Sequence, residues 1–113
     1  MKTRSFITLC IGEPEVLAQL AEEAAELSQA ALKLRRAITG KNPTPKSEND
    51  CRFDLLSEAA DVFVCIRELG FLFEDSPIAY RNIFNRVVAD KTARWCNRIM
   101  EEQLKSGGGG SEK

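Results

Sequence analysis

Seventeen carboxylate side chains and no histidine set the terms for any chemistry in this 113-residue chain. Without imidazole, Ser-His-Asp and Cys-His catalysis, imidazole metal ligation and histidine pH switching are all excluded. Reactivity falls to carboxylates, Lys/Arg, hydroxyls or thiols. Two carboxylate groups have a shared spacing: Glu22-Glu23-Ala24-Ala25-Glu26 and Glu58-Ala59-Ala60-Asp61. Residues three apart on a helix are surface neighbours, with Cβ atoms roughly 5–6 Å apart, so each pair can converge on one cation. Four carboxylates gathered between helices repel one another and raise one another's pKa unless cations neutralise them. Oxygen-only donors favour Mg²⁺ or Mn²⁺. One such pair alone is usually a solvated helix face. Two pairs at equal spacing, each beside alanines and at the margin of an apolar stripe, point to a divalent-metal site.

The elements that must position these acids are helices. From Glu13 to Ile38 the residues Leu17, Leu20, Ala24, Leu27, Ala31, Leu34 and Ile38 follow steps of three and four, one helical stripe. That helix should stop at Gly40, because glycine accepts the left-handed conformation and Pro43 and Pro45 forbid continuation. Ser47 or Asn49 caps a second helix, whose Leu55, Ala59, Val62, Phe63, Ile66 and Leu69 run to Gly70. Ser76-Pro77 is a start signal for a third, carrying Ile78, Phe84, Val87, Val88, Trp95 and Ile99 to about Leu104. A short helical piece fits Ser5 to Ile11. No segment shows sustained period-two alternation, so the expected class is all-α: an antiparallel bundle of three long helices plus a short amino-terminal one. Residues 1–105 form the expected domain, and 106–113, SGGGGSEK, a flexible Gly/Ser tail. Three long helices do not easily cover each other's apolar faces at this size, so completion by oligomerisation is expected.

Charge is segregated along the chain. Glu13 to Glu26 has five acids and no base, and Lys33 to Lys46 five bases and no acid, which complements the helix dipole. Glu48 to Asp75 carries eight acids against Arg52 and Arg67, while Pro77 to Lys105 carries six bases against Asp90, Glu101 and Glu102. An acidic centre with a basic third helix suggests a site for metal plus anion.

With EEAAE and EAAD in place, the sequence resembles the MazG-like, all-α nucleoside triphosphate pyrophosphohydrolases, which carry paired ExxE and ExxD motifs. Lys91-Thr92-Ala93-Arg94 is similar to the basic step that family members use near substrate phosphates. The resemblance covers about Leu17 to Arg98. It implies that Glu23, Glu26, Glu58 and Asp61 are metal ligands, that Glu22 is an accessory acid able to orient or deprotonate water, and that Lys91 and Arg94 contact phosphate. It also implies a bundle completed by dimerisation, sometimes doubled to a tetramer. The connection from Glu26 to Glu58, containing GKNPTPKSEND, is longer than in typical members.

The activity implied is cleavage of a (deoxy)nucleoside triphosphate between the α- and β-phosphates, giving monophosphate and pyrophosphate. Metal ions suit that reaction without histidine or a covalent nucleophile, because they polarise phosphate oxygens and balance charge on the leaving pyrophosphate. Phage and mobile-element relatives include purine deoxynucleotide-directed enzymes, which makes dGTP or GTP the first substrate to consider; the alternatives are a dUTP/dCTP hydrolase or a noncatalytic helical adaptor. Trp95, Tyr80, Phe63, Phe71, Phe73 and Phe84 read as core rather than base-stacking residues. Lys33, Arg35, Arg36, Lys41 and Lys46 read as a solvated basic helix end, and Ser28 and Ser57 lack an activating base.

Composition bounds the rest. Forty-three per cent hydrophobic and 29% charged residues describe a soluble domain without a membrane span, expected in the cytoplasm, of the host if phage-encoded. A formal charge of −1 offers no global field for a nucleic-acid polymer. Cys10, Cys51, Cys65 and Cys96 form no CxxC pair and read as reduced, buried thiols.

Overall fold

A computed structural model describes residues 6–40, 46–71 and 78–110. It is all-α: α1 spans Phe6–Ile11, α2 Glu13–Thr39, α3 Glu48–Glu68 and α4 Tyr80–Gly110. Among the described residues there is no strand, and no helix is long and apolar enough to cross a membrane. The backbone divides into two units, Met1–Ser76 and Pro77–Lys113, where one domain over 1–105 is expected from the sequence.

In the first unit, chain punctuation sets where each helix begins. Gly12, at φ 91°, separates α1 from α2, a conformation costly for any residue with a Cβ, and Pro14 follows inside the first turn of α2, where its missing N–H is no loss. At the other end Gly40 adopts φ 74° and its N–H donates to the Arg36 carbonyl at 2.9 Å, closing α2 as the sequence suggests. Of the two cap candidates for α3, Ser47 takes the role: its Oγ accepts from the Asp50 N–H at 3.1 Å. Lys46 is tied to Asp54 and Arg52 to Glu48, each at 2.7 Å, across the first turns of α3. Residues 41–45, with Pro43 and Pro45, lie outside the described residues.

Helix α1 is held to the end of α3 by a polar latch. Glu68, buried, accepts from the Thr8 backbone N–H at 3.2 Å, and the Thr8 hydroxyl donates to the Glu68 carbonyl at 2.5 Å. Hydrogen bonding supports that buried carboxylate, as a charge removed from water requires.

The buried stripe of α2 differs from the one expected. Val16, Ala30 and Leu34 are buried and Leu20, Glu23, Leu27 and Ala37 half-buried, whereas Leu17, Ala24, Ala31 and Ile38 are exposed. The apolar residues of α2 cover two adjacent faces, and alanine-rich spacing fits either; the face with Val16 is the one α3 takes. On α3, Cys51 and Cys65 are buried and Leu55, Glu58, Val62 and Leu69 half-buried, while Ala59 and Phe63 face out. Cys10 and Cys96 are exposed free thiols, so only two of the four cysteines match the buried expectation.

In the second unit, α4 starts at Tyr80, not at Ser76-Pro77, which lie outside the described residues; Ile78 and Ala79 precede it without helical structure. It continues through Gly110, past the expected Leu104 and into the Gly/Ser stretch. Helix propagation costs less than nucleation, so a long formed helix can carry poor helix formers at its end; the Ser106 hydroxyl bonds back to the Glu102 carbonyl at 2.9 Å. Ser111–Lys113 lie outside the described residues.

Because the Ser47 cap fixes where α3 begins, Ser47→Ala should cost about 1 kcal/mol of stability. Thermal melts read this directly. An unchanged melting temperature would mean that the bond to Asp50 contributes nothing.

Candidate metal centre

The register of α2 against α3 places the acids. Val16 and Cys65 line a small apolar cavity, and Ala30 and Cys51 line a larger one edged by charged side chains. The helices are therefore antiparallel, and the residue midway between Val16 and Ala30 on α2 is Glu23, opposite Glu58, midway between Cys65 and Cys51 on α3. Each interval is one heptad, about 10 Å of helix. Both glutamates occupy positions of the packed seam rather than its margin. Small residues above and below let the helices approach closely at this level.

Glu26, one turn along α2, joins them. Glu23, Glu26 and Glu58 each place a carboxylate oxygen within 4.8 Å of the others'. Acidic clusters on helix surfaces are common, but here Oε1 of Glu23 and Oε1 of Glu58 are both buried and have no hydrogen-bond partner. Polar atoms removed from water are normally partnered, so two orphan carboxylate oxygens facing one locus are the arrangement a cation would complete. Burial, then the charges of Glu26 and Asp61, a hydrogen bond between the Glu58 and Glu26 carboxyls, and the charge of Glu23 push the Glu58 carboxyl above its ordinary value. The donor set is all oxygen and hard, and fits Mg²⁺ or Mn²⁺. Cys65, its thiol pushed up by burial and by Glu23, Asp61 and Glu68, stays protonated and is not among these donors.

Sequence spacing marks Glu23, Glu26 and Glu58, which the fold brings together. Asp61 does not join them: it is exposed and lies outside the group, although its charge acts on Glu58 and Cys65. Glu22 is exposed and also outside it. Lys91 and Arg94 belong to α4 in the second unit, where with Trp95 and Arg98 they line a shallow hollow. None of these three cations has an ion-pair or hydrogen-bond partner among the described residues.

One contributor was missed from spacing alone. Gln19 donates through Nε2 to Oε2 of Glu23 at 2.7 Å, so one oxygen of that carboxylate is tied down while the other faces the cluster. Its four-residue separation from Glu23 is the signal that was available. Ala24, Ala25, Ala59 and Ala60 are exposed and place no bulk beside the acids. Comparison with known protein families, curated proteins and solved structures finds no match to this chain.

The crowded carboxylates give a stability signature. A carboxyl raised in the folded state binds its proton more tightly there than when unfolded. The stabilisation is fully present below the ordinary value of 4.5 and is lost as pH rises through the raised value. In EDTA, wild type should lose melting temperature over that rise, and Glu58→Gln should flatten the loss and melt no lower near neutrality. In excess Mg²⁺ the order should reverse, because a cation that binds the native state favours the intact site. Two identical pH and metal profiles would return Glu58 to an ordinary surface acid.

Proposed function

We propose that this chain is a Mg²⁺-dependent nucleotide pyrophosphohydrolase, cleaving a (deoxy)nucleoside triphosphate between its α- and β-phosphates to a monophosphate and pyrophosphate. The observation that carries this reading is the pair of buried, partnerless oxygens on Glu23 and Glu58, converging with Glu26 across a helix seam. A divalent cation, with Mn²⁺ as substitute, would polarise phosphate oxygens, lower the pKa of water and balance charge on the departing pyrophosphate.

The chain's own groups divide the remaining work. Glu23, Glu26 and Glu58 would hold the cation, with Gln19 orienting Glu23, while Asp61, one turn from Glu58 and outside that group, would add its charge from the solvent side. Glu22 accepts the proton of the attacking water. Lys91 and Arg94 contact the phosphate chain, a role supported by their unpaired state and by the absence of any acid from the hollow they line. A purine triphosphate, dGTP or GTP, is the first substrate on the strength of the MazG-like resemblance. The subunit would work as a homodimer or homotetramer, a reading supported by Leu17, Leu32, Phe53, Leu56 and Phe63, which leave apolar faces of α2 and α3 uncovered.

Turnover of dGTP with product analysis tests this. Mg²⁺ or Mn²⁺ should support monophosphate and pyrophosphate release, Ca²⁺ should support little, and EDTA should abolish it. Glu58→Gln and Glu26→Gln should cut kcat by more than the roughly 10- to 100-fold typical of groups that only support a metal ligand. Equal turnover in EDTA and Mg²⁺ would overturn the mechanism.

Lys91→Ala and Arg94→Ala should lower kcat/KM while leaving the helical melt in place, since their contacts are to substrate charge. Wild-type kcat/KM in both variants would remove the phosphate role.

A further inference from the structure

The acid cluster opens on one side into a cavity of about 360 Å³ between the second half of α2 and the start of α3. Glu26 and Glu58 form the wall nearest the cluster, and Lys33, Lys46 and Asp54 contribute the other charged groups. Ala30 and Cys51 are the buried residues of the lining, small enough to leave the space open. Lys33, Arg35, Arg36 and Lys46 look alike in the sequence as one basic run, but only Lys33 and Lys46 reach this cavity.

The two lysines differ in state. Lys46 is held by Asp54 at 2.7 Å, which neutralises it and holds its pKa up. Lys33 has no hydrogen-bond or ion-pair partner among the described residues. Without a metal, carboxylates outnumber ammonium groups in the lining, so an anion is repelled. A divalent cation held by the glutamates cancels that excess and leaves Lys33 as an uncommitted cation facing the same space. A phosphate group can bridge a hard cation and an ammonium, each supplying charge the other lacks.

We propose that Lys33 is a further substrate-binding residue, and that this cavity seats part of the phosphate chain only once a divalent cation occupies the neighbouring glutamates. This rests on the metal reading above and extends it: cation and anion bind with positive coupling, each raising the affinity for the other. The contact lies on α2 itself, so the first unit carries its own grip on the substrate's phosphates.

Inorganic tripolyphosphate is the probe, titrated calorimetrically into the full chain in excess Mg²⁺. Lys33→Ala should weaken binding about tenfold, the scale of one charge-assisted contact, and Lys33→Arg should restore most of it. Arg35→Ala removes the same charge from the same helix end but outside the cavity, and should bind within about twofold of wild type, as expected for a screened surface charge. Equal losses in Lys33→Ala and Arg35→Ala would reduce the effect to general surface charge and overturn the assignment. Glu58→Gln separates the two levels. If it binds tripolyphosphate in Mg²⁺ as wild type does, the metal reading itself falls; if it loses binding while Lys33→Ala keeps it, only the role of Lys33 falls.

Discussion

Two glutamates share the middle of a helix–helix seam, and the rest of the first unit is arranged around that fact. Glu23 and Glu58 sit where a packed antiparallel pair would ordinarily place leucine or alanine, with Oε1 of each out of contact with water and hydrogen-bond donors. Like charges at such a point oppose packing twice, through lost hydration and through mutual repulsion. Only a proton or a cation relieves both, and the raised Glu58 carboxyl is the proton solution. The cation solution recruits Glu26 as well, because it lies one turn away on the same helix.

A seam with a charged layer needs its register fixed, since a slip by one turn would set each glutamate against leucine or valine. Polar groups at seam positions are a known device for specifying register. Here the flanking layers reinforce it: Val16 and Cys65 line one cavity and Ala30 and Cys51 the other, all small or compact. The ends of the helices are pinned independently, α2 by left-handed Gly40 and α3 by the Ser47 cap. The Thr8–Glu68 latch holds α1 at the far end of α3, closing the apolar cavity beyond the acid layer. Local signals and packing thus specify the same alignment, and the acids meet as a consequence.

Much of this was legible in the residues. The helix stop at Gly40 and a cap at Ser47 or Asn49 follow from backbone chemistry that acts locally, so single residues announce them. The choice of buried face on α2 was not legible, because Leu17, Ala24 and Ala31 make as good a stripe as Val16, Glu23 and Ala30 when glutamate is assumed to avoid the seam. That assumption hid the stronger pattern: Cys51, Glu58 and Cys65 repeat at one heptad, as do Val16, Glu23 and Ala30. A Ser-Pro pair signals where a helix can begin, whereas Ile78 and Ala79 lie outside α4, which begins at Tyr80. The cavity residues Lys33 and Lys46 could not be separated from Arg35 and Arg36, since membership depends on which way a helix turns against its neighbour.

The segregated charge acquires a different meaning at this level. A chain of formal charge −1 produces little long-range field, and exposed charges more than about 10 Å apart are screened at ordinary ionic strength. Any pull the acids exert on a cation therefore acts at contact distance, where the three carboxylates converge. The basic run after Ala30 lies beyond that range for most of its members, and only those turned into the adjoining cavity can respond to whether the glutamates are neutralised. Packing would be better served by apolar side chains at both seam positions; keeping glutamate there leaves the metal-free fold under strain from its own charges. A ligand that removed this repulsion would stabilise the native state, so occupancy of the cluster and stability of the helix pair would be one linked equilibrium.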